Sequence, residues 1–141
     1  MVCFFGFTMN KMYRINNISV EELQSELPNH SNKSATLSEY IDGISNRKFI
    51  VFRGSKGGLA FFEPQKVQGT KGLSLLGVTK KSLFNQHNYH VWRGQAKALG
   101  LNRIITQAPV DNPGCIGMAK AYGFVEHCRK NGTVTLVQGI K

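Results

Sequence analysis

Apolar positions recur at two spacings along the chain, one helical and one extended. Between Ile18 and Leu27, the residues Val20, Leu23 and Leu27 fall at helical spacing. Ser19 is a candidate N-cap, and Glu22 three residues later completes a capping box. Thr36 to Ile44 repeats the arrangement, with Thr36 and Glu39 as the box and Leu37, Tyr40, Ile41 and Ile44 facing inward. Asn88 to Leu99 predicts a third helix, with Tyr89, Trp92, Ala96 and Leu99 on one stripe and Arg93 and Lys97 on the wet side. Gly100 closes it, and Gly94 lies inside it at a cost of about 1 kcal/mol relative to Ala. A fourth, shorter helix enters through Asp111-Asn112-Pro113 and ends at Gly123-Phe124.

The extended segments are Tyr13–Ile15, Lys48–Arg53, Leu59–Glu63, Leu73–Val78, Arg103–Ala108, Phe124–Cys128 and Thr133–Val137. Lys48–Arg53 and Leu59–Glu63 read as a hairpin around Gly54–Gly58. Pro64 should end the return strand, and the Gly- and Lys-rich stretch from Gln65 to Gly72 should be a loop. Pro28 to Ser34 reads as a polar loop, and Asn131-Gly132 as a hairpin turn. The predicted order is strand, helix, helix, three strands, helix, strand, helix, two strands. This is an α+β domain with a mostly antiparallel mixed sheet and one parallel crossover from Leu73 to Ala108.

A length of 141 residues suits one domain. The division expected is an apolar, poorly ordered N-terminal extension over residues 1–10 and a single domain over 11–141. No apolar run approaches the roughly 20 residues of a membrane helix. Three widely spaced cysteines, Cys3, Cys115 and Cys128, fit neither a disulfide framework nor a zinc cluster, so no metal is expected and a cytoplasmic setting is. Eighteen Lys and Arg against eight Asp and Glu give a net charge of +10. That balance favours an anionic partner: a phosphorylated cofactor, nucleic acid or an acidic protein.

Ala98-Leu99-Gly100-Leu101-Asn102-Arg103-Ile104-Ile105, leading into Asn112 to Phe124, adds a more specific signal. A Leu-Gly helix exit, a strand, an Asn-initiated helix and a Gly-Phe ending follow one another at the spacing of a known family. The chain resembles the GCN5-related N-acetyltransferase (GNAT) family, in element order over about residues 11 to 140 and residue by residue from Leu99 to Phe124. A looser similarity joins it to the acetyltransferase-like proteins of short-tailed bacteriophages, whose setting would be the host cytoplasm or the virion.

The resemblance implies splayed central strands and acetyl-CoA, or another acyl-CoA, as co-substrate. It implies that the backbone near Val78 holds the acyl carbonyl. It puts the pyrophosphate at the turn Thr79-Lys80-Lys81-Ser82, before a helix N-terminus, and Asn112 on the coenzyme side. Three departures stand beside it. The turn holds no glycine where the family's phosphate loop is glycine-rich. Ala119 stands where the family's catalytic Tyr does, with Tyr122 one turn away. The strand Leu73–Val78 carries no carboxylate, which leaves Glu63 as the base candidate, with His87 and His90 as alternatives.

Two functions follow from this. One is an acyl-CoA-dependent N-acyltransferase acting on an amine-bearing small molecule or protein, with Glu63 and Tyr122 as acid–base residues. The other is a non-catalytic protein of the same fold that binds nucleic acid or an acidic protein.

Overall fold

The computed structural model describes residues 9–140. Along the chain run β1 (Met12–Ile15), α1 (Val20–Glu26), α2 (Leu37–Ser45), β2 (Ile50–Gly54), β3 (Leu59–Val67) and β4 (Thr70–Val78). Then come α3 (Gln86–Ala98), β5 (Arg103–Pro109), α4 (Pro113–Ala121), β6 (Val125–Lys130) and β7 (Thr133–Gly139). The order is the predicted one. The strands supply most of the buried apolar residues, and the helices add Leu23, Tyr40, Trp92, Ala96 and Ile116. Residues 1–8 of the expected N-terminal extension, Cys3 among them, lie outside the described residues.

The helix signals form as read, with one change. Ser19 caps α1 by accepting the Glu22 N–H at 3.0 Å. The Glu22 carboxylate does not complete a box; it makes a two-pronged ion pair with Arg53 on β2, whose Nε donates to Oε2 at 3.0 Å. Thr36 caps α2 by accepting the Glu39 N–H at 3.3 Å, and its hydroxyl donates to the Glu39 carboxylate at 2.7 Å. Gly100 and Gly123 take left-handed φ values of 75° and 96° and close α3 and α4. The inward stripes are narrower than predicted. Val20 and Leu99 are exposed and Arg93 is half-buried, whereas Leu23, Trp92 and Ala96 are in the core.

The strands differ from the prediction at one hairpin. β3 does not stop at Pro64; it continues to Val67, turns over Gln68-Gly69 and returns at once as β4. Both turn residues are left-handed, with φ of 48° and 82°, the geometry of a type I′ hairpin. Pro64 is tolerated for a simple reason. β2 has five residues against the nine of β3, and the two are joined at Ser55–Gly58, so the far half of β3 runs past β2 and needs no donor on that side.

The seven strands hydrogen-bond in the order β1-β2-β3-β4-β5-β7-β6. β1 pairs antiparallel with β2, and β7 pairs antiparallel with both β5 and β6. β4 and β5 pair in parallel, as a crossover through α3 requires. Their register holds for two pairs only, Leu73↔Ile104 and Ser74↔Ile105, after which β4 runs on to Val78 without β5.

The described residues divide into two compact units, one formed by residues 9–61 with Gly77–Tyr89, the other by Phe62–Leu76 with residues 90–140. In the first, Phe61, Leu59 and Leu23 are fully enclosed, and Tyr40 packs edge-on against Phe61 and Phe49. In the second, Trp92 packs at a tilt against Phe62 and against Phe124, with ring centroids 5.4 Å apart in each pair, and its indole N–H donates to the Leu73 carbonyl at 3.0 Å. Ile104, Ile105, Val134 and Leu136 complete that core.

Candidate functional site

In the first unit the turn that leaves β4 is built by asparagines instead of glycines. A single 3-10 turn, Lys81–Leu83, follows Lys80 and leads to α3. Asn85 caps that helix: its Oδ1 accepts the Asn88 N–H at 2.9 Å, and its carbonyl accepts from Tyr89. The N–H groups of Gln86 and His87, in the first turn, have no acceptor within their helix. Asn10 clamps the turn from outside. Its Nδ2 donates to the Gly57 carbonyl and to Ser82 Oγ, both at 2.9 Å, and its Oδ1 accepts the Lys56 N–H at 2.8 Å. Asn88 donates to the Asn10 and Leu83 carbonyls at 2.8 and 2.9 Å and accepts the Met12 N–H. Asn10 and Asn88 are both buried, so their satisfied amides hold the turn where a glycine-rich loop would rely on backbone freedom.

The clamp also gathers positive charge. Lys80 and Lys81 are exposed on the turn, and Lys80 Nζ reaches the Lys56 carbonyl at 2.6 Å. The Lys11 backbone pairs with Ser55 through both its N–H and its carbonyl, which brings a fourth lysine to the same corner. None of the ion pairs among the described residues involves these four. Ser82, expected beside the phosphates, accepts from Asn10 Nδ2.

The end of β4 is crowded by the segment between α1 and α2. Gly77 has φ 154°, and a Cβ there would lie 2.2 Å from His30 Cε1. Only glycine fits both demands. His30, read from sequence as part of a polar loop, is fully buried. It stacks on Phe61 at 5.5 Å, and its Nε2 lies 2.9 Å from the Tyr40 hydroxyl. Its Nδ1 accepts the Asn32 N–H at 2.8 Å, so the ring is neutral with its proton on Nε2. Burial, together with nearby Lys33, holds its pKa below the ordinary histidine value.

Ser31 then takes both backbone groups of Val78: the Ser31 N–H donates to the Val78 carbonyl at 2.8 Å, and Ser31 Oγ accepts the Val78 N–H at 3.0 Å. Thr79 is buried and also engaged. Its N–H donates to the Leu59 carbonyl, its Oγ1 accepts the Leu59 N–H at 2.8 Å, and its hydroxyl donates to Glu26 at 2.7 Å.

The second unit holds the remaining candidates. Glu63 is half-buried on β3, with Oε1 accepting from Gln65 Nε2 at 2.9 Å. Asn112 caps α4 by accepting the Cys115 N–H at 3.2 Å, a role that accounts for it without a ligand. Tyr122 ends α4 half-buried, and its carbonyl accepts from Gln138 Nε2 at 3.0 Å. Ala119 is half-buried on the same helix. Val78, Thr79, Lys80, Lys81 and Ser82 thus share the first unit, while Glu63, Asn112 and Tyr122 belong to the second. Asn10, Glu26, His30 and Ser31 carried no sequence signal. Each acts through a partner more than ten residues away or on an irregular backbone, where periodicity is silent. Among the described residues no group of three or more His, Cys, Asp or Glu side chains could hold a metal ion.

No family model matches the chain, and no curated protein matches it in sequence. Solved structures do match in shape. The ribosomal-protein-S18-alanine N-acetyltransferase from Escherichia coli superposes with a TM-score of 0.68 at 10% identity, over 94% of this chain and 95% of that one. Ard1 from Thermoplasma volcanium gives 0.66 at 13% identity, over 95% and 99%. The chain has the GNAT acetyltransferase fold. A Bacillus subtilis acetyltransferase of that fold, solved in complex with CoA, gives 0.62 at 14% identity, over 94% and 99%. At this level of identity the likeness is one of fold, and the chemistry has to be argued from this chain's GNAT-fold residues.

Those residues fit an acyl-coenzyme A unequally. The four-lysine corner and the first turn of α3 suit a pyrophosphate, which wants cations and uncommitted N–H donors. The N–H of Val78 suits an acyl oxygen only once Ser31 Oγ has left it.

Proposed function

We propose that this chain is an acyl-CoA-dependent N-acyltransferase that moves an acetyl group from acetyl-CoA to an amine. The observation that carries the reading is the corner after β4, where Lys80 and Lys81 lie on the turn before α3 and the Lys56 and Lys11 backbones adjoin it, with no carboxylate among the described residues paired to any of the four. Lys80 and Lys81 hold the pyrophosphate with the first-turn N–H groups of α3. Thr79 and Ser82 keep the turn in shape through the Glu26, Leu59 and Asn10 hydrogen bonds. Val78 N–H exchanges Ser31 Oγ for the acyl oxygen and polarises the carbonyl, the role of a single oxyanion donor. The coenzyme supplies an activated thioester. Glu63 and Tyr122 are the acid–base candidates of the second unit, and Asn112 lines its coenzyme side. The setting that goes with this chemistry is cytoplasmic.

Calorimetric titration with acetyl-CoA tests the reading. Saturable binding is expected, weakened about tenfold or more in the Lys80→Ala/Lys81→Ala double variant. No heat of binding at millimolar ligand overturns it.

A second reading is favoured by Ser31 itself. With both backbone groups of Val78 already satisfied, the fold is complete without a coenzyme. A non-catalytic protein of charge +10 that binds nucleic acid or an acidic protein, in a host cell or a viral particle, fits that arrangement.

A further inference from the structure

The first unit has a second cationic place, at the other end of β2 from the lysine corner. β1 pairs with β2 so that Met12 faces Gly54 and Ile15 faces Val51. Gly54 leads into the turn that Asn10 clamps, while Ile50 begins the strand. The four steps between Ile50 and Gly54 span about 13 Å of extended chain. An open cleft of about 560 Å³ lies at the Ile50 end, lined by residues of the first unit alone. That volume suits a small molecule. Its half-buried lining is apolar: Ile15, Ile18, Ile44 and Phe49. Its exposed lining is polar and includes Arg14, Asn16, Asn17 and Arg47. No carboxylate lines it.

Two further observations mark the arginines. Neither Arg14 nor Arg47 makes a side-chain hydrogen bond or ion pair among the described residues, whereas Arg53 and Arg129 each hold a glutamate. Arg47 also stands where glycine would fit better. α2 closes in a Schellman motif: the Lys48 N–H donates to the Gly43 carbonyl at 2.8 Å, and the Arg47 N–H to the Ile44 carbonyl at 3.1 Å. The motif puts Arg47 in the left-handed region, with φ 59°. α3 and α4 close in the same way on Gly100 and Gly123. A side chain at this position is strained relative to glycine. Strain retained at the mouth of a cleft points to a ligand. The same hydrogen bonds occupy the Gly43 and Ile44 carbonyls, so the end of α2 offers an anion fewer bare acceptors.

We propose that this cleft binds a small organic anion, with its carboxylate or phosphate gripped by Arg14 and Arg47 and its apolar body against Ile15, Ile18, Ile44 and Phe49. Guanidinium groups match the oxygens of either head group with paired N–H bonds. The Asn16 and Asn17 amides supply further donors beside them. The apolar lining sets this site apart from the lysine corner, which offers charge alone. The site is distinct from the coenzyme corner and does not depend on the acyltransferase reading.

The probes are phenyl phosphate, phenylacetate and inorganic phosphate, titrated into the full chain and followed by amide NMR shifts. At least one aromatic probe should saturate at millimolar concentration, move the Asn16, Asn17 and Arg47 amides, and bind about tenfold or more tightly than inorganic phosphate. Which of the two binds better identifies the head group. Arg14→Ala and Arg47→Ala should each weaken that probe about tenfold or more. The Lys80→Ala/Lys81→Ala double variant should bind it as the wild type does. Arg47→Gly should lose the probe equally and raise the melting temperature by a few degrees, because glycine relieves the left-handed backbone. Absence of saturable binding by both aromatic probes overturns the proposal. So do shifts confined to the Thr79–Ser82 turn, equal affinity for inorganic phosphate, and unchanged affinity in either arginine variant. A melting temperature that falls in Arg47→Gly gives Arg47 a structural role and overturns it as well.

Discussion

Ser31 and His30 sit side by side on the end of β4 and answer different questions. Ser31 competes with an acyl group for one N–H. Replacing it by alanine removes the competitor while its own N–H still holds the Val78 carbonyl. Ser31→Ala should therefore bind acetyl-CoA about fivefold more tightly by calorimetry, the size of one ordinary hydrogen bond of about 1 kcal/mol. Unchanged or weaker binding would mean that the acyl oxygen does not go to Val78. His30 concerns stability. Its folded pKa lies below the value near 6.5 that it has in the unfolded chain, with burial as the main cause. Between those two values the unfolded chain binds more protons, so stability is complete above about pH 7 and falls as the solution is acidified through that window. Melting temperatures from pH 8 to pH 5 should show this decline. His30→Gln, which cannot charge, should start less stable and fall less steeply.

At the scale of elements, α4 separates a folding role from a binding one. Asn112 accepts the Cys115 N–H as a helix cap. Asn112→Ala should cost about 1 kcal/mol in urea denaturation, with acetyl-CoA affinity unchanged if capping is its whole role. A matched loss of affinity would make it a coenzyme contact. The same helix shows what local sequence carries. Its entry at Asn112-Pro113 and its exit at Gly123-Phe124 depend on neighbours within a turn, so they could be read directly. The β3–β4 hairpin could not. Pro64 and the Gly-Lys stretch signal a break, and only the short length of β2 removes the need for an N–H at position 64. The anion corner was half legible: Lys80 and Lys81 are adjacent in sequence, whereas Lys11, Lys56 and the asparagine clamp arrive from other segments. His30 and Glu26 were silent because their partners, Gly77 and Thr79, lie some fifty residues away.

For the molecule as a whole, the charge of +10 separates the two functions through salt. A coenzyme held by two or three cations and a set of directed hydrogen bonds should lose modest affinity between 50 and 200 mM NaCl. A nucleic-acid surface releases a counterion for each phosphate neutralised, so its affinity falls steeply and in proportion to the lysines engaged. Fluorescence anisotropy with a labelled 20-mer DNA, set beside acetyl-CoA titrations at the same salts, should show weak and strongly salt-dependent DNA binding if the transferase reading holds. Tight DNA binding that survives 200 mM NaCl, with no response to acetyl-CoA, would favour the binding protein.

The asparagine clamp has a consequence for how the chain is made. Asn10 leaves the ribosome 78 positions ahead of Asn88, which ties to its carbonyl. Until α3 has been synthesised, the lysines of the anion corner have no common frame, and β1 waits for the Asn88 acceptor of its Met12 N–H. Contacts of such long sequence separation form late and slowly. The corner that would grip a coenzyme is thus among the last parts of the first unit to mature. Anion binding then becomes a sensitive readout of completed folding, lost before the rest of the unit when Asn10 or its neighbours are disturbed.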